Sequence, residues 1–253
     1  MEDSIAAEDD PTAVYPMMEG GILQLAITDL NEVSTAHDEK YLRQGIKAPD
    51  ELAFRGLPRT PLPGWIENYW QQRAHSTAAI WHFLEAQRRA AGRGMGFQGI
   101  AVELTQGMPY LAYGLDAGGY LAFAVSPHAG HFALGVHPYS RYCRIQANWD
   151  ALPLRSGSFD VVILNTLPSG LPADVLPDLL RSASKLLTET GFLLISDSPE
   201  VEESPVADTL RESGLKVALH SVPGTDDSLN GRLKHILRMG IPVPPLLIAG
   251  KTF

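Results

Sequence analysis

Short apolar runs separated by turn residues fill the middle of the chain, and stretches of helical period alternate with them. Ile100-Ala101-Val102-Glu103-Leu104 is an apolar run that carries one acid. Thr105-Gln106-Gly107-Met108-Pro109 follows as a turn, and Tyr110-Leu111-Ala112-Tyr113-Gly114-Leu115 reads as the start of a helix. That order predicts the opening βα unit of a parallel, nucleotide-binding type of sheet. Further strands are predicted over Tyr120 to Val125 and over Cys143-Arg144-Ile145-Gln146, and Leu152 to Asn165 reads as a turn feeding another.

The flanks continue the alternation. Leu176, Leu179, Leu180, Ala183, Leu186 and Leu187 mark an amphipathic helix that ends near Gly191, with Pro177 tolerated only in its first turn. Ser204 to Ser213 predicts a helix closed by Gly214, and Leu215 to His220 and Leu246 to Gly250 predict the last two strands. On the amino side, Ile66, Tyr69, Trp70, Arg73, Thr77, Ile80, Trp81 and Leu84 recur at helical spacing up to about Arg89. Pro49, Pro58, Pro61 and Pro63 forbid a regular helix over residues 46–64 and describe an extended linker. Tyr15 to Leu25 holds Gly20-Gly21 between apolar segments and predicts a small hairpin. The division expected is an acidic arm, hairpin and Pro-rich linker over residues 1–64 and one α/β domain over 65–253.

Composition narrows the classes. With 253 residues, 45% of them hydrophobic, the chain can bury a full core. No run of eighteen apolar residues occurs, so no membrane span is expected. The first ten residues carry Glu2, Asp3, Glu8, Asp9 and Asp10 and no Lys or Arg, the reverse of a secretory leader, which predicts a cytoplasmic protein. The net charge of −9 argues against nucleic-acid binding, and Arg88, Arg89 and Arg93, the one basic knot, read as a solvated helix end. Cys143 is the single cysteine, so neither an intrachain disulfide nor a thiolate zinc site is available. His128, His131 and His137 lack the further ligand and the supporting carboxylates that a metal site requires.

The run Leu152-Pro153-Leu154-Arg155-Ser156-Gly157-Ser158-Phe159-Asp160-Val161-Val162-Ile163-Leu164-Asn165 resembles a signature of the class I S-adenosylmethionine-dependent methyltransferases, of the type 11-like kind. Gly191-Phe192-Leu193-Leu194-Ile195-Ser196-Asp197-Ser198-Pro199 is similar to the fifth strand of that family after its glycine turn. The resemblance spans about residues 65 to 253 and implies a doubly wound, mostly parallel, seven-stranded Rossmann-like sheet with an irregular N-terminal arm. Residues 15–25 also resemble the tail of the zinc ribbon that precedes some bacterial methyltransferase domains, without its thiolates.

Carried over by position, the family's cofactor site falls on Glu103, Thr105, Gly107, Ser126, Asn148 and Asn165. The family places Gly-x-Gly-x-Gly after its first strand because backbone approaches the cofactor closely there. This chain has Thr105-Gln106-Gly107-Met108-Pro109 and keeps only the middle glycine. At the end of the second strand the family has an acid for the ribose hydroxyls, and here Ser126 stands in its place. The carboxylate that accepts from the adenine amino group corresponds to Asn148, or to Asp150 with one shift of register. Asn165 and the segment after it lack the aromatic or His that often marks an acceptor site.

Three weakened contacts on an intact scaffold lead to the expectation of a methyltransferase-fold protein that has lost S-adenosylmethionine, works without catalysis as a subunit of a larger assembly, and meets its protein partner through the acidic arm. The alternative is an active methyltransferase on a small molecule, with S-adenosylmethionine as cofactor.

Overall fold

The computed structural model describes residues 17–18, 22–24, 79–92, 96–105, 109–127, 142–148, 152–165, 175–196, 204–220 and 246–252. Its strands, in chain order, are β1 (Met17–Met18), β2 (Ile22–Gln24), β3 (Gly99–Leu104), β4 (Tyr120–Ser126), β5 (Cys143–Gln146), β6 (Phe159–Asn165), β7 (Leu187–Ser196), β8 (Lys216–His220) and β9 (Leu246–Gly250). The helices are α1 (79–90), α2 (Tyr110–Ala117), α3 (Val175–Leu186) and α4 (Pro205–Glu212).

One sheet holds all nine strands in the order β1-β2-β5-β4-β3-β6-β7-β9-β8. Its main body is the expected seven-stranded sheet, β5 to β8. β3 pairs in parallel with both β4 and β6, β4 with β5, and β6 with β7, while β9 runs antiparallel between β7 and β8. The predicted hairpin is present, with Met18 opposite Ile22, and it does more than fold on itself. β2 lies parallel to β5, with Ile22, Leu23 and Gln24 opposite Arg144, Ile145 and Gln146, so the arm lengthens the sheet by two strands.

Alternation along the buried strands feeds two cores. Val102, Leu104, Phe123, Val125, Val162 and Leu164 face one side, where α3 and α4 supply Leu179, Leu180, Ala183, Ala207 and Leu210. Ala101, Ala122, Ala124 and Ile163 face the other, against Ile80, Phe83 and Leu84 of α1 and Leu111 and Leu115 of α2. Strands covered on both faces read as near-continuous apolar runs, which is why β3, β4 and β6 stand out in the sequence.

Local signals set the element ends. Ser204 caps α4, accepting a hydrogen bond at its hydroxyl from the Ala207 N–H, with Pro205 in the first turn. Pro177 is the third residue of α3, inside the first turn, where its missing N–H costs nothing. α3 stops at Leu186, a few residues before the expected end near Gly191, because the Gly157 and Ser158 N–H groups turn back onto the Lys185 and Leu186 carbonyls. The chain then enters β7 at once. At Gly191 a Cβ would come within 2.7 Å of the Phe159 carbonyl oxygen, so the close approach of β6 and β7 requires glycine there.

Candidate functional site

In an open sheet of this winding, ligands meet the carboxyl ends of the strands around the point where the order reverses, here between β3 and β6. Glu103 and Thr105 stand at the end of β3, Ser126 ends β4, and Asn148 follows β5 by two residues. The Thr105 N–H donates to the Val125 carbonyl and the Ala147 N–H to the Ser126 carbonyl. Backbone hydrogen bonds thereby bring three of the four positions to one rim. Asn165 is the last residue of β6, paired with Ser196. Gly107 lies outside the described residues, as do Asp150 and the three histidines at 128, 131 and 137.

The side chains at this rim are committed inward. Glu103 is fully buried, and its Oε2 accepts from the Leu111 N–H at 2.9 Å and the Ala112 N–H at 2.8 Å. Pro109 enters α2 without any side-chain cap of its own, so the strand carboxylate satisfies two of the orphan N–H groups at the helix start. Ser126 is 0% exposed and Thr105 3%. Asn148 is half-buried. Behind Ser126, the Gln146 Nε2 donates to the Pro127 carbonyl at 3.0 Å and closes the β4–β5 corner. Burial pushes the Tyr142 phenol up, with Arg144 opposing and the Glu103 charge adding to the rise. Burial likewise pushes up the thiol of Cys143, the next residue and the first of β5, the opposite of what an activated nucleophile requires.

The resemblance, carried over by position, implies other residue types here. Thr105 brings a side chain to the first glycine position. Ser126 offers one neutral hydroxyl where two ribose hydroxyls would meet a carboxylate, a loss of about 1.5 to 3 kcal/mol of charge-assisted bonding. Asn148 retains an amide oxygen able to accept from an amino group.

At the opposite, amino end of the strands a cavity of about 240 Å³ lies between Leu84, Arg88, Gln98, Tyr120, Asp160 and Phe192. Its polar groups work for the scaffold. The Asp160 Oδ2 accepts from the Ile100 N–H at 2.9 Å and its Oδ1 from the Thr188 hydroxyl at 3.3 Å, the Gln98 Nε2 donates to the Gly96 carbonyl, and Arg88 pairs with Glu85. Asp160 is thus structural. Among the described residues no helix is long and apolar enough to cross a membrane, and no group of three or more His, Cys, Asp or Glu converges on a metal position.

No family model matches the sequence, and no curated relative matches it. Solved structures do match in three dimensions. Magnesium protoporphyrin IX methyltransferase (ChlM) from Synechocystis PCC 6803 with bound SAM superposes with a TM-score of 0.56 at 12% identity, over 88% of this chain and 97% of that one. This is the fold of the class I S-adenosylmethionine-dependent methyltransferases. The putative methyltransferase solved in complex with the Haloferax volcanii Trm112 activator matches with a TM-score of 0.50 at 15% identity, over 75% of this chain and 95% of that one. The methyltransferase fold therefore extends over most of the chain, while the identities leave the chemistry to the residues at the rim.

Proposed function

We propose that this methyltransferase-fold chain does not hold S-adenosylmethionine and serves as a non-catalytic binding subunit of a larger assembly. The observation that carries the reading is the burial of Ser126 and Thr105, the side chains that stand where a ribose-binding acid and a cofactor-facing glycine belong. A group that grips a sugar has to be reachable, and these two are shut inside the β3–β4 corner. Glu103 adds to the argument, since one of its carboxylate oxygens is spent on the amino end of α2. The solved complex of a methyltransferase of this fold with a protein activator supports a subunit role, with the acidic residues of the 1–64 segment as the charged surface offered to a partner.

A second reading, an active methyltransferase on a small molecule, draws support from Asn148, half-buried at the third contact with an amide oxygen free in chemistry to accept from adenine. Isothermal titration of the full chain with S-adenosylmethionine and with S-adenosylhomocysteine separates the two. The subunit reading expects no heat of binding at micromolar ligand. A micromolar dissociation constant for either compound sinks it and favours the second.

A further inference from the structure

His82 of α1 and His220, the last residue of β8, lie 138 positions apart in the chain and meet nitrogen to nitrogen, His82 Nδ1 to His220 Nε2 at 2.8 Å. The two rings have centroids 5.0 Å apart and planes inclined by 27°. Phe83 backs the pair, packing edge-on against His220 at 5.6 Å and against Phe192 at 5.2 Å. Both imidazoles are half-buried. We propose that His82 and His220 form a binding site for a divalent transition-metal ion of the copper, nickel or zinc class, clasping α1 to the outer edge of the sheet.

The chemistry follows from what occupies the space between the two nitrogens. Two neutral imidazoles at this distance share one proton between two lone pairs. A divalent ion takes the place of that proton, which passes by exchange with water to the far nitrogen of the ring that carried it, so that both rings stay neutral and both lone pairs go to the ion; imidazole nitrogen suits copper, nickel and zinc alike. Bonds of about 2.0 Å hold two nitrogens on one ion about 2.8 Å apart at a square corner and about 3.3 Å apart at a tetrahedral one. The observed separation sits at the square end of that range, and with the centroids 5.0 Å apart each ring has to turn its nitrogen lone pair off the N–N line to face a tetragonal ion. The backbone of α1 carries His82, and Phe83 together with the β8–β9 pairing, which sets His220 opposite Leu246, holds the other ring. Among the described residues no third ligand joins them, and the half-exposed setting leaves the remaining positions of the ion to water.

The site lies on the β8 side of the sheet and does not depend on whether the β3–β4 rim binds a nucleoside. Its test is titration of the full chain, near neutral pH, with nickel, copper and zinc chlorides, alongside His82→Gln and His220→Gln, in which the amide keeps a hydrogen-bonding group in place of the ring. The wild-type chain is expected to bind one equivalent of at least one of the three ions with micromolar affinity. Either substitution is expected to weaken that binding at least about tenfold, 1.4 kcal/mol. Circular dichroism confirms that the variants fold, and where one does not, the other decides. In parallel, electron paramagnetic resonance of the wild-type one-equivalent copper complex is expected to show coupling to two imidazole nitrogens. Unchanged affinity in a folded variant, which assigns the ion to other histidines, overturns the proposal. So does the absence of binding by the wild-type chain, or a copper spectrum without the nitrogen pair.

Discussion

Gly99 and Asp160 are bound together by geometry at the point where β3 begins. Gly99 has φ +132°, a region that side chains rarely enter, and an added Cβ would lie 2.5 Å from the Asp160 Oδ2. That same oxygen accepts from the Ile100 N–H. Gly99→Ala is expected to lose about 2 to 3 kcal/mol in urea denaturation, and Asp160→Ala about 1.5 to 3 kcal/mol through the lost charge-assisted bonds. Because the alanine methyl collides with the carboxylate, the double variant should be more stable than the sum of the single losses implies, a positive coupling readable in a double-mutant cycle. Glu103 acts on the other end of the same strand. Glu103→Ala leaves the Leu111 and Ala112 N–H groups without their acceptor and should cost about 2 to 3 kcal/mol, with the loss appearing as earlier unfolding of α2 in amide exchange. The sequence placed Glu103 near a strand end, as the structure does, but its capping bond runs across the loop to residues eight and nine positions on. No periodic signal records such a bond.

Among the elements, those buried on both faces or strongly amphipathic were legible: β5 and β9 match their predicted spans residue for residue, and α3 carries its Leu and Ala stripe into the core. The three-residue β2 is too short to show a period, and nothing in Ile22-Leu23-Gln24 distinguishes a lone hairpin from a strand that joins β5. The meeting of α1 with β8 was equally invisible, because His82 and His220 are brought together by the sheet order alone. That contact has a pH signature. Burial, and after it the neighbouring His82, hold the His220 imidazole below its ordinary value, so the unfolded chain takes up this proton first. The stability that depends on a neutral His220 is complete above about pH 6.5 and is lost as the pH falls below it toward the folded value. Urea midpoints measured between neutral and mildly acid pH should therefore fall more steeply for the wild-type chain than for His220→Gln, both in metal-free buffer.

For the molecule as a whole, the doubly wound sheet was readable because each strand and helix of residues 99–253 carries its own pattern and the right-handed crossovers leave few ways to connect them. The rim at the end of β3 and β4 was readable only as positions. What its side chains do depends on burial, which is a property of the assembled sheet. The same assembly gives the arm a purpose inside its own chain: β2 and β1 cover the edge of β5, whose Cys143 to Gln146 backbone would otherwise offer unpaired groups to a second molecule. Deleting residues 1–25 is expected to lower the urea midpoint and to produce concentration-dependent self-association in sedimentation velocity, whereas the full chain keeps a constant sedimentation coefficient.

The parallel alignment of Ile22 with Arg144 also has a temporal side. A ribosome releases the second of these segments after synthesising about 120 further residues, roughly six to twenty-five seconds at ordinary elongation speeds. Throughout that interval the nascent hairpin has no native docking place. Its apolar Met17, Met18, Ile22 and Leu23 stay through that time without the neighbouring strand that takes them into the sheet.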